Sequence, residues 1–223
     1  MSELWRPSRG RQGADLGRRG FLAAAGIAGL TLAGCSNGTQ GQSRGPAANP
    51  SVSTRPRGSA AAGGSGVLIA YFSRTGNTRT VAEYVAGEAN ADLVQVVPQN
   101  PYPEDYDATN DRATEEQDSD ARPRLSTRVE NMADYTTVLL GYPIWWSTMP
   151  MAMFTFLEEY DFNGKTIIPF CTHEGSGLAG SERDIAKLCP GAQLRDGLAV
   201  RGPGAQDSRG EVASWVEESR LSA

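Results

Sequence analysis

The sequence predicts an α/β domain with a mostly parallel sheet, preceded by a segment of different composition. Short apolar runs alternate along the chain with segments in which apolar residues recur every three or four positions. Continuous apolar runs are typical of strands covered on both faces, and their alternation with helices favours parallel strands joined by right-handed crossovers. The folded domain is expected to begin near Val67 and to occupy residues 67–223.

The first strand and helix form a clear pair. "VLIAYF" (67–72) is wholly apolar and predicts a buried strand. A helix follows to about Ala89, because apolar residues recur through Thr80, Val81, Tyr84 and Val85 at helical spacing.

The next elements are a strand and an acidic helix. "DLVQVVP" (92–98) predicts a second strand that Pro98 ends. The acidic stretch 104–120 favours an exposed helix with few apolar anchors.

Two further strand–helix pairs and one final pair complete the domain. "TTVLLGYP" (136–143) predicts a third buried strand, and Pro150 suits the first turn of a helix that runs to about Tyr160. The remaining predicted elements are a strand at 165–172, a helix at 182–188, a shorter strand at 193–200 and an amphipathic helix at 207–219.

Charge is distributed unevenly along the 223 residues, whose formal net charge is −5. The first 66 residues contain eight Arg and two acidic residues and carry +6, which leaves −11 for the rest. An acidic body argues against a nucleic-acid partner, because phosphates need a basic face. It is compatible with basic protein partners or with neutral small molecules.

Cysteine and histidine are scarce, which excludes several kinds of site. The three cysteines, Cys35, Cys171 and Cys189, show no CxxC spacing, and His173 is the only histidine. Zinc sites and Ser-His-Asp triads are therefore disfavoured, and no metal site is predicted. We expect Cys171 and Cys189 to be buried thiols rather than a disulfide.

The N-terminal segment resembles a bacterial export signal. Arg18 and Arg19 followed by Phe-Leu resemble a twin-arginine signal, and "LAGC" resembles a lipobox that would place a lipid on Cys35. Residues 1–34 are then a signal peptide, and residues 35–66, rich in Gly, Ser, Pro, Ala and Thr, a disordered tether. A signal peptide cleaved elsewhere, with Cys35 incidental, is the alternative.

The loop after the first strand, "SRTGNT" (73–78), has the composition of an anion site. Ligands of such sheets bind at the carboxyl ends of strands, near the switch in strand order. Hydroxyl groups and a glycine at the start of a helix can hold a phosphate, and the lysine of an ATP-binding loop is absent. The alternative is an ordinary helix start with spare hydroxyls.

Two other loops share that edge of the predicted sheet. "GYPIWWSTMP" (141–150) concentrates aromatic side chains that a flat ligand would cover, although a small core or a dimer contact would also cover them. "THEGSGLAG" (172–180) contains a formal GxGxxG pattern at Gly175, Gly177 and Gly180, which is weak evidence at the fourth strand. We expect its amides to approach the edge of a ring.

Together, "SRTGNT", "YPIWW", "TMPM" and "FCTHEGSG" resemble the flavodoxin family over essentially all of residues 67–223. The resemblance implies a three-layer sandwich with a five-stranded parallel sheet of order 2-1-3-4-5, and FMN as the cofactor. It places the FMN phosphate at Ser73, Arg74, Thr75, Gly76, Asn77 and Thr78, the isoalloxazine at Pro143, Ile144, Trp145 and Trp146, and the pyrimidine edge at Thr172, His173, Glu174, Gly175 and Gly177. Glu174 departs from the family pattern, which has glycine there.

Three functions remain open on the sequence alone. The first is an exported, lipid-anchored electron carrier that exchanges electrons with redox partner proteins at the outer face of the cytoplasmic membrane or in the periplasm. The second is an FMN-dependent reductase that uses NAD(P)H or a quinone. The third is a flavodoxin-shaped lipoprotein that binds a ligand without turnover. A visible flavin spectrum separates the third from the others.

Overall fold

The computed structural model of the protein describes residues 66–221. The predicted signal peptide, the tether, the lipidation site at Cys35 and the last two residues lie outside the described residues.

The described chain alternates strands and helices from its first element to its last. Its strands are β1 (Val67–Tyr71), β2 (Asp92–Gln95), β3 (Thr137–Pro143), β4 (Thr166–His173), β5 (Gln193–Leu194) and β6 (Leu198–Arg201). Its α-helices are α1 (Asn77–Ala89), α2 (Tyr106–Asp118), α3 (Met151–Glu159), α4 (Ser181–Leu188) and α5 (Arg209–Glu218). Two 3-10 helices occupy Met132–Asp134 and Gly202–Asp207.

The sheet is parallel, with strand order β2-β1-β3-β4-β5, and β6 also pairs with β4. The predicted order 2-1-3-4-5 is therefore confirmed. The order reverses at β1, whose neighbours are β2 on one side and β3 on the other. The carboxyl ends of β1 and β3 consequently meet at this reversal, where open α/β sheets bind ligands.

The sheet is buried on both faces, which gives the three layers that the sequence predicts. Along β1, Leu68 and Ala70 pack into one core while Val67, Ile69 and Tyr71 pack into the other. Alternate strand residues point to opposite faces, so a strand covered on both sides must be apolar throughout. Helices α3 and α4 contribute to the first core, and α1 and α5 contribute to the second.

The fifth strand differs from the prediction, because the expected strand at 193–200 is divided into β5 and β6. Thr166 is opposite Gln193, whereas Phe170 is opposite Leu198, so the edge segment contains one residue more than β4. A β-carbon on Gly197 would lie 2.6 Å from the carbonyl oxygen of Pro169. The extra residue reverses the side-chain alternation, and Leu194 and Leu198 therefore pack into different cores.

An antiparallel segment continues beside the chain that leaves β2. The amide of Ser126 donates to the carbonyl oxygen of Val97, the amide of Gln99 donates to that of Arg124, and the Thr127 hydroxyl donates to that of Gln95. These bonds occupy backbone groups that an edge strand otherwise exposes.

None of the helices described between residues 66 and 221 combines the length and the apolarity required to cross a membrane.

Candidate functional site

The loop between β1 and α1 presents a helix N-terminus at the carboxyl edge of the sheet. Gly76 precedes α1 with a φ of 101°, a conformation that glycine adopts at little cost. The amide of Gly76 donates to Ser73 Oγ at 3.2 Å, which folds the loop back on itself. The first turn of any helix leaves backbone N–H groups without intrahelical acceptors, and these groups favour an anion. Thr75 is exposed beside them.

Thr78 has a different environment from the rest of this loop. Its side chain is buried, and its Oγ1 lies 2.8 Å from Oγ1 of Thr172 at the end of β4. This bond joins the first loop to the third. Thr78 thus connects two predicted ligand loops, and its hydroxyl is already engaged by another side chain.

Arg74 also contacts protein groups. Its Nε donates to the carbonyl oxygen of Pro103 at 3.2 Å and its Nη2 donates to that of Glu104 at 2.5 Å. The guanidinium of Arg74 therefore fastens the first loop to the segment that joins β2 to α2. The predicted phosphate loop is held from both sides, by Thr172 and by this segment.

The segment 98–105 is held on α2 by a second arginine. Arg112 donates from Nε to Glu116 at 2.7 Å, from Nη1 to the carbonyl oxygen of Pro101 at 2.9 Å and from Nη2 to that of Asn100 at 3.0 Å. The guanidinium carbon of Arg112 also lies 4.1 Å from the ring centroid of Tyr102, and the Tyr102 hydroxyl donates to Glu116 at 2.5 Å. Burial, followed by the bond to this carboxylate, raises the pKa of Tyr102.

Three aromatic rings meet edge to face between this segment and the second loop. The centroid distances are 5.4 Å for Phe72 and Trp145, 5.0 Å for Tyr102 and Trp145, and 5.5 Å for Phe72 and Tyr102. Such pairs contribute more than their buried area alone. Trp145 is therefore part of a packed aromatic cluster, which was the alternative considered for this loop.

Trp146 projects from a tight turn and is 53% exposed. Trp145 and Thr148 exchange backbone hydrogen bonds at 2.8 and 3.1 Å, and the two residues between them, Trp146 and Ser147, have φ values of 47° and 67°. Positive φ at both central positions is the geometry of a type I′ turn. Adjacent tryptophans thus have different environments, and Trp146 is the one available to a ligand.

Contacts from neighbouring elements fix this turn. The amide of Gly180 donates to the carbonyl oxygen of Ser147 at 2.9 Å, and the Thr148 hydroxyl donates to Asp184 on α4 at 2.7 Å. On the opposite side, Gln117 of α2 donates to the carbonyl oxygen of Trp146 at 3.3 Å. The exposed indole therefore stands on a backbone that is held by two helices and a loop.

The glycine-rich loop after β4 is closed by the side chain of His173. The Nδ1 atom of His173 accepts from the amide of Gly175 at 2.9 Å and from the amide of Gly177 at 3.1 Å. Cys171 donates from Sγ to the carbonyl oxygen of Gly177 at 3.4 Å, and burial raises the pKa of this thiol to about 12. Two of the amides expected to face a ring edge are thus bonded to an imidazole.

Glu174 lies close to the first loop. A β-carbon on Gly202 would be 2.8 Å from Glu174 Oε1 and 3.1 Å from Asn77 Nδ2, so the two side chains flank the same backbone position. Arg201 donates to the backbone carbonyl oxygen of Glu174 at 3.2 Å. The residues that follow β1, β4 and β6 therefore converge at one edge of the sheet.

Pro143 ends β3, and Ile144 donates its amide to the carbonyl oxygen of Thr172 at 2.9 Å. All three predicted loops are thus joined to their neighbours by hydrogen bonds. The sequence prediction did not include Tyr102 and Arg112. A tyrosine between two prolines, ahead of an arginine and a glutamate spaced four residues apart on the acidic helix, is the signal that could have identified them.

Metal chemistry receives no support from the described part of the chain, in which no three His, Cys, Asp or Glu side chains are grouped closely enough to bind a metal ion. Cys171 and Cys189 are buried free thiols, as predicted.

The chain is similar to two candidate flavoproteins of known structure. The one from Bacteroides eggerthii is 30% identical, over 68% of this chain and 96% of that chain, with a TM-score of 0.61. The one from Bacteroides uniformis is 33% identical, over 68% of this chain and 97% of that chain, with a TM-score of 0.61.

A third similar structure contains a cofactor. A flavoprotein from Lactobacillus acidophilus, in complex with FMN, is 20% identical over 66% of this chain and 97% of that chain, with a TM-score of 0.55. At this identity the likeness shows the fold. No curated protein matches the sequence.

The flavodoxin family model matches residues 66–219, which is more than half of the chain and includes all three loops. Together with the parallel sheet of order β2-β1-β3-β4-β5, this match identifies the chain as a member of the flavodoxin family.

Proposed function

We propose that this protein binds FMN at the carboxyl edge of its sheet and carries electrons between protein partners. The observation that supports it best is that a glycine-capped helix N-terminus, with hydroxyl groups and no lysine, and an exposed tryptophan on a fixed turn follow β1 and β3, the strands that meet where the strand order reverses. The FMN complex of the similar Lactobacillus acidophilus protein gives independent support for the cofactor.

The donor groups of the first loop fit a phosphate monoester. Hydroxyls and helix-terminal amides bind an anion without transferring it, so neither a lysine nor a magnesium ion is required. Ser73, Thr75, Gly76 and Asn77 would hold the phosphate, Trp146 would cover one face of the ring, and Pro143 and Ile144 would border it. When bound, FMN supplies reversible one- and two-electron redox chemistry.

The protein itself would set the electrostatics around the ring. Residues 67–223 carry a formal charge of −11, and the exposed acidic face of α2 lies next to the Trp146 turn through Gln117. Negative charge near the ring disfavours added electrons and so lowers the reduction potential. The same charge attracts basic partners and repels acidic ones. We therefore favour the carrier over the reductase.

Cofactor binding is tested with the purified protein. We expect a yellow preparation, or one that becomes yellow with FMN, and a Trp146→Ala variant that binds FMN on the order of tenfold more weakly because a base-stacking contact contributes about 1–3 kcal/mol. Leu93→Ala, which removes an exposed apolar side chain on β2, is the matched control and should bind like the wild type. A protein that stays colourless with added FMN rules out the proposal in favour of a non-catalytic binding protein.

Carrier and reductase are separated by kinetics. Mixing the oxidised protein with NADH or NADPH should leave the visible spectrum unchanged on the scale of seconds, whereas rapid bleaching would identify a reductase. With the chemically reduced protein and a basic c-type cytochrome, the electron-transfer rate should fall several-fold between ~0.01 M and ~0.15 M salt, because the Debye length shortens from about 30 to about 8 Å.

Export and lipid anchoring are a separate part of the proposal. They rest on the sequence of residues 1–35, with its paired arginines and "LAGC". In a bacterial host with a twin-arginine pathway, the wild type should be found in the membrane fraction and a Cys35→Ser variant should not. An Arg18→Lys, Arg19→Lys variant should remain in the cytoplasm. A wild-type chain that stays cytoplasmic and unmodified would contradict this localisation.

A further inference from the structure

We propose that His173 is a positioning residue that controls the glycine-rich loop by its protonation state. The neutral imidazole holds the amides of Gly175 and Gly177, and a protonated imidazole releases both of them to an outside acceptor. The His173 latch, as we name it, consists of the Nδ1 atom of His173 and these two amides.

The latch follows from the direction of its hydrogen bonds. Both amides donate to Nδ1, at 2.9 and 3.1 Å, and a nitrogen that accepts must carry no proton. A neutral His173 is consequently protonated on Nε2. An imidazolium carries N–H groups on both nitrogens, so its Nδ1 proton would face two donors. Protonation therefore removes two hydrogen bonds at once.

The rest of the loop is fastened in a way that leaves these amides free to change partners. Carbonyl groups anchor it, since Gly177 accepts from Cys171, Glu174 accepts from Arg201 and Leu178 accepts from Ser181. None of these bonds uses the Gly175 or Gly177 amide. Gly175 and Gly177, with φ values of 149° and 61°, have backbone conformations that side-chain-bearing residues rarely adopt. The loop can thus keep its course while the amides exchange the imidazole for a ligand.

Charged groups of both signs lie near the ring. Glu174 follows it in the loop, and Arg201 on β6 is opposite His173 in the β4–β6 register. From α1, Asn77 approaches the same place and is neutral. His173 is partly exposed, so a proton can reach it from solvent. The acceptor that takes the released amides is one with an electron-rich carbonyl or anionic edge.

The decisive measurement is a nuclear magnetic resonance titration of the protein without added cofactor. His173 is the only histidine of the chain, so its ring signals need no assignment by mutation. We expect the Nε2–H tautomer at high pH. As the pH falls through the imidazole titration, the Gly175 and Gly177 amide signals should move together with the ring signals, and their hydrogen exchange should accelerate about five- to tenfold.

Three variants separate the latch from a purely structural role. His173→Asn keeps an acceptor near the Nδ1 position and cannot be protonated, so both amides should stay protected across the whole pH range. His173→Ala should expose them at every pH. Glu174→Gln removes the neighbouring carboxylate and should leave the two amides following the ring. The proposal fails if the neutral ring carries its proton on Nδ1, if the amides ignore the titration, or if His173→Ala leaves them protected.

A second arm rests on the proposed function and uses FMN as the probe. The ratio of FMN affinities, wild type over His173→Asn, should rise about tenfold as His173 protonates, because the wild type then offers two free amides. Taking this ratio cancels the titration of the FMN phosphate, which both proteins experience. A ratio that stays flat shows that the latch does not act on the cofactor. A protein that binds no FMN refutes the proposed function, and the first arm still decides the latch.

Discussion

At the scale of single residues, Gly141 shows how a side chain from the next strand can require a glycine. A β-carbon at this position on β3 would lie 2.2 Å from Cζ of Phe170 and 2.9 Å from Cβ of Tyr71. The ring of Phe170 therefore occupies the space above Gly141, where it also approaches Trp215 of α5, with centroids 6.4 Å apart. This contact joins β3, β4 and α5 in the core that faces α1.

We expect Gly141→Ala to lower the free energy of unfolding by about 1–3 kcal/mol or more, because the methyl group forces the Phe170 ring out of its rotamer. Urea denaturation measures the change. Gly87→Ala is the matched control, since Gly87 lies exposed inside α1 with nothing within 4 Å of the added carbon. That substitution should stabilise the protein by about 0.5–1 kcal/mol. Equal effects of the two changes would show that the Phe170 contact is absent.

The two buried thiols provide a second test at this scale. Burial raises the pKa of Cys171 to about 12 and that of Cys189 to about 11, and only a thiolate attacks a disulfide reagent. In a Cys35→Ser variant at pH 8, we expect no rapid reaction of the native protein with an aromatic disulfide reagent. After denaturation both remaining thiols should react. A thiol that reacts within seconds in the native protein would contradict the burial of these residues.

At the scale of elements, the segment 98–105 owes its position to Arg112. This one guanidinium binds a carboxylate and two carbonyl oxygens and lies over the Tyr102 ring. Tyr102 in turn meets Trp145, so α2 supports the aromatic cluster beneath the exposed Trp146 turn. The acidic helix is therefore a supporting element of the site and not only a solvated surface.

Replacing Arg112 with lysine keeps the charge and loses the planar fork that contacts three acceptors. We expect a loss of about 1–3 kcal/mol in the free energy of unfolding, together with weaker near-ultraviolet circular dichroism as the aromatic cluster loosens. Arg79→Lys is a suitable comparison, because Arg79 is exposed and bonds only the Gln95 side chain among the described residues. It should change the free energy of unfolding by less than about 0.5 kcal/mol.

Sequence reasoning reached most of these elements because their signals are local. The apolar runs of β1, β3 and β4 and the position of Pro150 before α3 can be read within a few residues. The division of the last strand was missed, since it depends on Pro169 of β4 lying against Gly197. The His173 latch and the Arg112 contacts were missed for a related reason. They are set by how side chains meet after the loops have folded, and no short pattern encodes that.

At the scale of the whole molecule, the sequence predicted the layers and the strand order, the latter through family resemblance. A strand with alternate residues in two cores, such as β1, leaves no choice but helices on both faces. The three predicted ligand loops also meet as expected, joined by bonds such as that between Thr78 and Thr172. Which side chains of these loops face a ligand could not be predicted, as the unequal environments of Trp145 and Trp146 show.

The turn that carries Trp146 has a consequence for how this protein could change under selection. Two residues with side chains adopt the left-handed conformation there, at roughly 1–2 kcal/mol each, in a turn type that prefers Asn-Gly. A laboratory selection for heat resistance alone should therefore replace Trp146 and Ser147 with Asn and Gly early, and the resulting protein should have a raised melting temperature and a diminished affinity for FMN. If the same substitutions lowered the melting temperature, the turn would cost the fold nothing. The structure thus marks a position at which durability and activity pull in opposite directions.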